Sequence, residues 1–184
     1  LLRNPTPALA LGVLLHDAGK PHTQTETDRI RFNEHDMVGA GIARDVCLRL
    51  RLSRRDTERV VWLVSQHMRF AHIPDMKESK RKRLVRAEGF DELKELCRID
   101  CLASHQELST IDWVENYLAH IPPEALHPEP LLQGRDLIAL GYSPGPLFSK
   151  VLRQIEELQL NGQLTTRDDA KAFVLKQWPV GKTS

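Results

Sequence analysis

The chain has 184 residues, 41% hydrophobic and 28% charged, enough for one substantial core or two small ones. A formal net charge of +1 excludes an overall basic signature, and 5% aromatic residues argue against base stacking as a main binding mode. No run of about 18 apolar residues occurs, so no membrane span is expected, and no signal peptide is visible.

Residues 7–17 form the first predicted helix. Leu9, Val13 and His16 fall on one face, and Ala10, Leu14 and Asp17 on the next. The helix ends in His16-Asp17 and breaks at Gly19 and Pro21. Adjacent His and Asp at the buried end of a helix cost free energy unless something binds them. A divalent metal ion meets that need, because His offers a neutral nitrogen and Asp a charged oxygen. The dipeptide recurs at His35-Asp36. The plainer alternative is a helix end at which Asp17 caps nearby amides and His16 is a satisfied core residue.

A loop over residues 18–33, rich in Thr, His and charge, is expected to rim the site. Residues 34–50 read as a helix carrying His35, with Gly39 and Gly41 allowing close backbone approach. Ser53, with Asp56 three residues on, caps a helix running to 67 or 68 in which Val60, Val64 and His67 share an apolar face. Residues 77–88 form a basic helix closed by Gly89. The helix from 90 to about 107 carries Asp100, with Leu93, Leu96 and Cys97 on or beside its face. An unpaired Asp there would be expensive, so His16, Asp17, His35, His67 and Asp100 are expected to turn inward around a shared metal. Ser109 or Thr110 caps a short helix to 120. No convincing alternating strand appears, and the predicted fold is all-α.

Four Pro among residues 121–130 mark a boundary. The expected organisation is a helical domain over 1–120, a Pro-rich linker over 121–133 and a smaller helical region over 134–178. Within the last, a helix over 134–140 precedes a long one opened by Pro144 and Pro146 and stopped at Gly162. Thr166 with Asp169 caps a final helix to about 178.

Residues 77–86 hold six basic residues against one acidic. Within them Lys80, Arg81, Lys82 and Arg83 are candidates for phosphate binding. A second cluster of Arg49, Arg51, Arg54 and Arg55 surrounds Ser53. Such helices neutralise RNA phosphates with an affinity that falls as salt rises; the alternative is a solvated face. Cys47, Cys97 and Cys101 lack the spacing of a zinc site and read as small buried hydrophobes in a reducing, cytoplasmic setting. His22, His72, His105, His120 and His127 read as surface residues.

The order His16-Asp17, His35, His67, Asp100 on successive helices resembles the HD-domain metal phosphohydrolases. The resemblance implies His16, Asp17 and Asp100 as ligands of a divalent metal (Mg, Mn, Ni or Zn). It implies His35 and His67 as catalytic residues serving a second metal or the substrate phosphate. That family carries a first ligand His on a preceding helix, and no His occurs over residues 1–15. With no initiator Met either, the chain is expected to be a portion of something longer.

The tail narrows the resemblance. Leu132-Gln133-Gly134-Arg135-Asp136-Leu137, then Leu140-Gly141-Tyr142-Ser143-Pro144-Gly145-Pro146, a long helix, Gly162 and Thr166-Arg167-Asp168-Asp169-Ala170 follow in order. This arrangement is similar to the C-terminal part of bacterial tRNA nucleotidyltransferases (CCA-adding enzymes) and poly(A) polymerases. The likeness implies RNA as partner, tRNA first, bound by shape. It also implies 2′,3′-cyclic phosphodiesterase, nucleotidase or phosphatase action on a nucleotide or phosphate ester at the HD site. The family's transferase head, with a Gly-rich loop and an Asp-x-Asp pair for two magnesium ions, has no counterpart here, so nucleotide transfer is not expected of these residues. An independent HD phosphohydrolase acting on a small nucleotide, and a metal-free helical scaffold, are the alternatives.

Overall fold

The computed structural model describes residues 2–26, 28–104 and 106–179. The chain divides into two compact units, one of Leu1–Asp75 with Ala87–Ala119 and one of Met76–Arg86 with His120–Ser184. The fold is all-α, as expected, apart from one small hairpin. No helix among the described residues is long and apolar enough to cross a membrane.

The first unit is built around helix α4 (Arg54–Ala71), against which α1 (Pro7–Leu15), α3 (His35–Arg49) and α6 (Phe90–Ala103) pack. Ser53 opens α4 as expected, its Oγ accepting the Asp56 amide at 3.1 Å. Small residues on α3 (Gly39, Ala40, Ala43 and Cys47) let its axis approach Val60 and Val64 of α4 closely. Leu9 of α1, Leu63 of α4 and Leu93 and Leu96 of α6 close the core, each about wholly buried. Each such side chain contributes roughly 1.5–3 kcal/mol by leaving water. Helix α7 (Ser109–His120) adds Ile111 and Val114.

Between α1 and α3 the expected loop contains a four-residue helix, α2 (Lys20–Thr23), and a hairpin of β1 (Gln24–Glu26) and β2 (Ile30–Phe32), with Thr25 opposite Arg31. Three-residue strands exposed along nearly their whole length carry no inside-outside alternation, which is why no strand was expected.

The second unit gathers α5 (Glu78–Val85), α8 (Pro123–Leu126), α9 (Gly134–Ala139), α10 (Pro146–Leu160) and α11 (Arg167–Gln177). Leu132, Leu137, Val151, Ile155, Leu164, Ala170 and Val174 form its core. The basic helix α5, placed by the sequence pattern within 1–120, belongs to this unit, and so does the Pro-rich stretch. Leu84 and Val85 of α5 are buried, and Leu132 of the Pro-rich stretch lies in the core. Gln133 and Asp136 cap α9 reciprocally, and Thr166 caps α11 by accepting the Asp169 amide at 3.1 Å.

Candidate metal centre

Three imidazoles in the first unit are set by one local device. The Nδ1 of His16 lies 2.8 Å from the Val13 carbonyl, that of His35 2.7 Å from the Phe32 carbonyl, and that of His67 2.6 Å from the Val64 carbonyl. A carbonyl only accepts, so each Nδ1 carries a proton, and a ring in its neutral form presents a bare Nε2 lone pair. The partner is the third residue back each time, so the main chain itself orients the rings.

The three Nε2 atoms converge. Those of His35 and His67 are 3.1 Å apart, in a buried pair. With both Nδ1 atoms protonated, two lone pairs face each other, an arrangement that needs a proton or a cation between them. Asp17 stands at the junction. Its Oδ1 lies 3.5 Å from His35 Nε2, and its Oδ2 lies 3.3 Å from His16 Nε2. Asp100 brings Oδ1 to 3.4 Å from the same His16 nitrogen. That nitrogen is buried and makes no hydrogen bond, despite the two carboxylates beside it.

The residues present therefore fit a divalent cation. Ligand atoms around an ion at about 2.1 Å stand roughly 3.0–3.4 Å apart, close to the separations found here. Asp17, His35 and His67 present ligand atoms that all lie within 4.8 Å of one another. His16 and Asp100 adjoin them through Asp17 Oδ2 and the His16 ring. All five residues expected at the site are thus brought together, and Asp100 is half-exposed rather than buried on an apolar face.

The electrostatics favour an ionised Asp17 and a neutral His67. Burial opposes ionisation of Asp17, but the Lys20 hydrogen bond at 2.7 Å and the nearby His16 and Lys20 charges outweigh it, so its carboxyl sits below the usual carboxylate range. Burial holds the His67 imidazole below its ordinary value, against the Val64 carbonyl that favours its charged form. Lys20 was not singled out from the sequence, and Gly19 reads there only as a helix break. The Lys20–Asp17 spacing of three residues was the available signal.

The expected phosphate-binding residues divide by unit. In the first, Arg54 pairs with Glu58 at 2.8 Å and Arg55 stands 3.7 Å from Glu88, both highly exposed. In the second, Lys80 is exposed, whereas its neighbours are engaged within the unit. Arg81 donates to Glu78 and to the Met76 carbonyl, Lys82 to the Leu160 carbonyl at 3.0 Å, and Arg83 to Glu156 at 2.8 Å. Arg86 also donates to Glu156. Much of the expected basic face is therefore an internal clamp. His22, His72, His120 and His127 are exposed, and His105 lies outside the described residues. Cys47 and Cys97 are buried free thiols, while Cys101 is partly exposed.

A helical unit that aims imidazoles and carboxylates from α1, α3, α4 and α6 at one point, as a group that could hold a metal ion, has the arrangement of an HD domain. The HD domain family profile matches residues 6–104, and the chain belongs to that family. It is 35% identical, over 97% of its length, to 44% of the A-adding tRNA nucleotidyltransferase of Deinococcus radiodurans. It is 33% identical, over 94% of its length, to 40% of the CC-adding tRNA nucleotidyltransferase of Thermus thermophilus. A shorter likeness, 37% identity over 42% of the chain and 8% of the relative, is to a bifunctional uridylyltransferase/uridylyl-removing enzyme of Ruegeria pomeroyi. The chain thus spans less than half the length of the tRNA nucleotidyltransferases it matches.

Proposed function

We propose that this chain serves RNA 3′-end processing as the HD-containing part of a tRNA nucleotidyltransferase, and that its HD centre is a metal-dependent phosphohydrolase. The observation that carries the hydrolase reading is the approach of the pinned His16 and His35 Nε2 atoms to the Asp17 carboxylate, with His67 Nε2 set against that of His35. His16, Asp17 and Asp100 are the residues that would hold a divalent cation such as Mg, Mn, Ni or Zn. A divalent cation, when bound, supplies Lewis-acid polarisation of a phosphoryl group and activation of water.

The chain's own residues would do the rest. His67, kept neutral by burial, offers Nε2 as a proton acceptor, and the His35 Nε2 beside it holds a phosphoryl oxygen when protonated. Lys20 adds a positive charge at the mouth of the cluster, balancing Asp17. The tRNA reading is supported by likeness over almost the whole chain to two tRNA nucleotidyltransferases, beyond the HD segment alone. Lys80, Arg54 and Arg55 are the exposed cations that would meet RNA phosphates.

The test is hydrolysis of 2′,3′-cyclic AMP by protein stripped with EDTA and reloaded with each of the four metals. Turnover is expected to require reloading with at least one of them. Absence of turnover with all four contradicts the hydrolase reading.

A further inference from the structure

Gly19 is not required by its own backbone. Its φ of −79° and ψ of −18° are right-handed values that any L residue adopts. The requirement lies across the packing. A Cβ on Gly19 would stand 2.1 Å from the His35 carbonyl oxygen and 2.7 Å from the Gly39 amide nitrogen. Both are main-chain atoms of α3, so no side-chain rotation relieves the clash. Gly39 mirrors the contact, since a Cβ there would lie 3.3 Å from the Gly19 nitrogen and from Val64 Cγ1, and 3.6 Å from the His16 carbonyl oxygen.

The lever to the metal centre is short. Asp17 is two residues before Gly19, and the carbonyl that Gly19 touches belongs to His35. A Cβ does not come within about 3.0 Å of another heavy atom, so a side chain at Gly19 forces its turn and the first turn of α3 apart by about 1 Å. Other glycines of the unit do something else. A Cβ on Gly12 would meet only the ends and stem of Leu63 and Leu96 in the core, the nearest at 3.0 Å, and Gly41 faces open space.

We propose that Gly19 and Gly39 are positioning residues for the metal centre, their main-chain contact setting the spacing between the Asp17 carboxylate and the His35 Nε2. This rests on the metal-centre reading above. Gly19 is the sensitive partner because both obstacles are backbone, and Gly39 is the milder one because its clashes are a few tenths of an ångström.

The test compares the parent with Gly12→Ala, Gly41→Ala, Gly39→Ala and Gly19→Ala by three readouts. These are Mn²⁺ affinity from the electron paramagnetic signal of free Mn²⁺, thermal melting, and the nitrogen resonances of the histidine rings in metal-free protein. Gly41→Ala is expected to match the parent, and Gly12→Ala to melt earlier with unchanged Mn²⁺ affinity. Gly39→Ala should weaken Mn²⁺ binding several-fold and Gly19→Ala by about tenfold or more, the scale at which misplaced support costs a metal site. The His35 and His67 ring resonances should move in both. Folded Gly39→Ala and Gly19→Ala proteins with parental affinity and ring resonances would overturn the proposal. If Gly19→Ala does not fold, Gly39→Ala decides by the same two signs. If the parent itself takes no Mn²⁺, the metal reading fails, and the ring resonances decide the positioning. Movement in Gly39→Ala but not in Gly12→Ala sustains it, and movement in neither overturns it.

Discussion

Single residues carry the site through partners that are close in sequence. His16, His35 and His67 each lean on a carbonyl three residues back, and Asp17 is balanced by Lys20 three residues on. Removing His16 and Asp17 together, as His16→Ala with Asp17→Ala, should abolish metal-dependent hydrolysis of 2′,3′-cyclic AMP, measured by product release. Turnover retained by the double variant would contradict the ligand assignment. A residue away from the site has its own pH signature. Glu95 accepts both guanidinium bonds of Arg98 at 2.7 Å and the Arg3 amide at 2.7 Å, which hold its carboxyl below the usual range although burial opposes this. A depressed carboxylate pKa contributes stability that is present above the ordinary value of about 4.3 and is lost as pH falls through the lowered one. Glu95→Gln should therefore cost roughly 1–3 kcal/mol near neutral pH, where hydrogen bonds to a charged group are lost. The gap from the parent should close as both are titrated well below pH 4.3, as followed by urea denaturation.

At the scale of elements, most helices were legible and the four-residue ones were not. Ser53 and Thr166 cap where their sequences announce it, and the boundaries of α3, α10 and α11 fall within a residue or two of expectation. Helices α2 and α8 and the hairpin are too short to develop any periodicity. The five residues of the cluster were legible because each sits on or at the end of a helix with an apolar stripe. The role of Gly19 was not, because its clash is with a carbonyl sixteen residues later, and Gly41, expected to allow close approach, touches nothing. The basic run of α5 shows the same limit. Its partner Glu156 lies some seventy residues on, so a charged stretch read as a surface is in part a clamp onto α10. Glu156→Ala should lower the stability of the second unit by about 1 kcal/mol, a value discounted for the partial exposure of these groups. Neutralising Lys80, Arg54 and Arg55 should reduce tRNA affinity and flatten its dependence on salt. A salt slope equal to the parent's would place the RNA elsewhere. In the core, Leu63→Ala should cost about 2–5 kcal/mol by leaving a cavity where α1, α4 and α6 meet. A chemical denaturation midpoint close to the parent's would contradict that packing.

At the scale of the whole molecule, two helical units with separate cores are joined in a chain that matches tRNA nucleotidyltransferases almost end to end. The first unit concentrates imidazoles and carboxylates at the meeting point of four helices, and the second supplies a compact apolar core braced by ion pairs. The proposed chemistry of the first unit requires that a cation organise this cluster. The direct measurement is anomalous X-ray diffraction from crystals of the protein grown with Mn²⁺. A bound ion at the proposed centre gives an anomalous peak within about 2.2 Å of His16 Nε2 and of Asp17 and Asp100 carboxylate oxygens. A map with no peak beside these three residues, at Mn²⁺ concentrations that support hydrolysis, would contradict it.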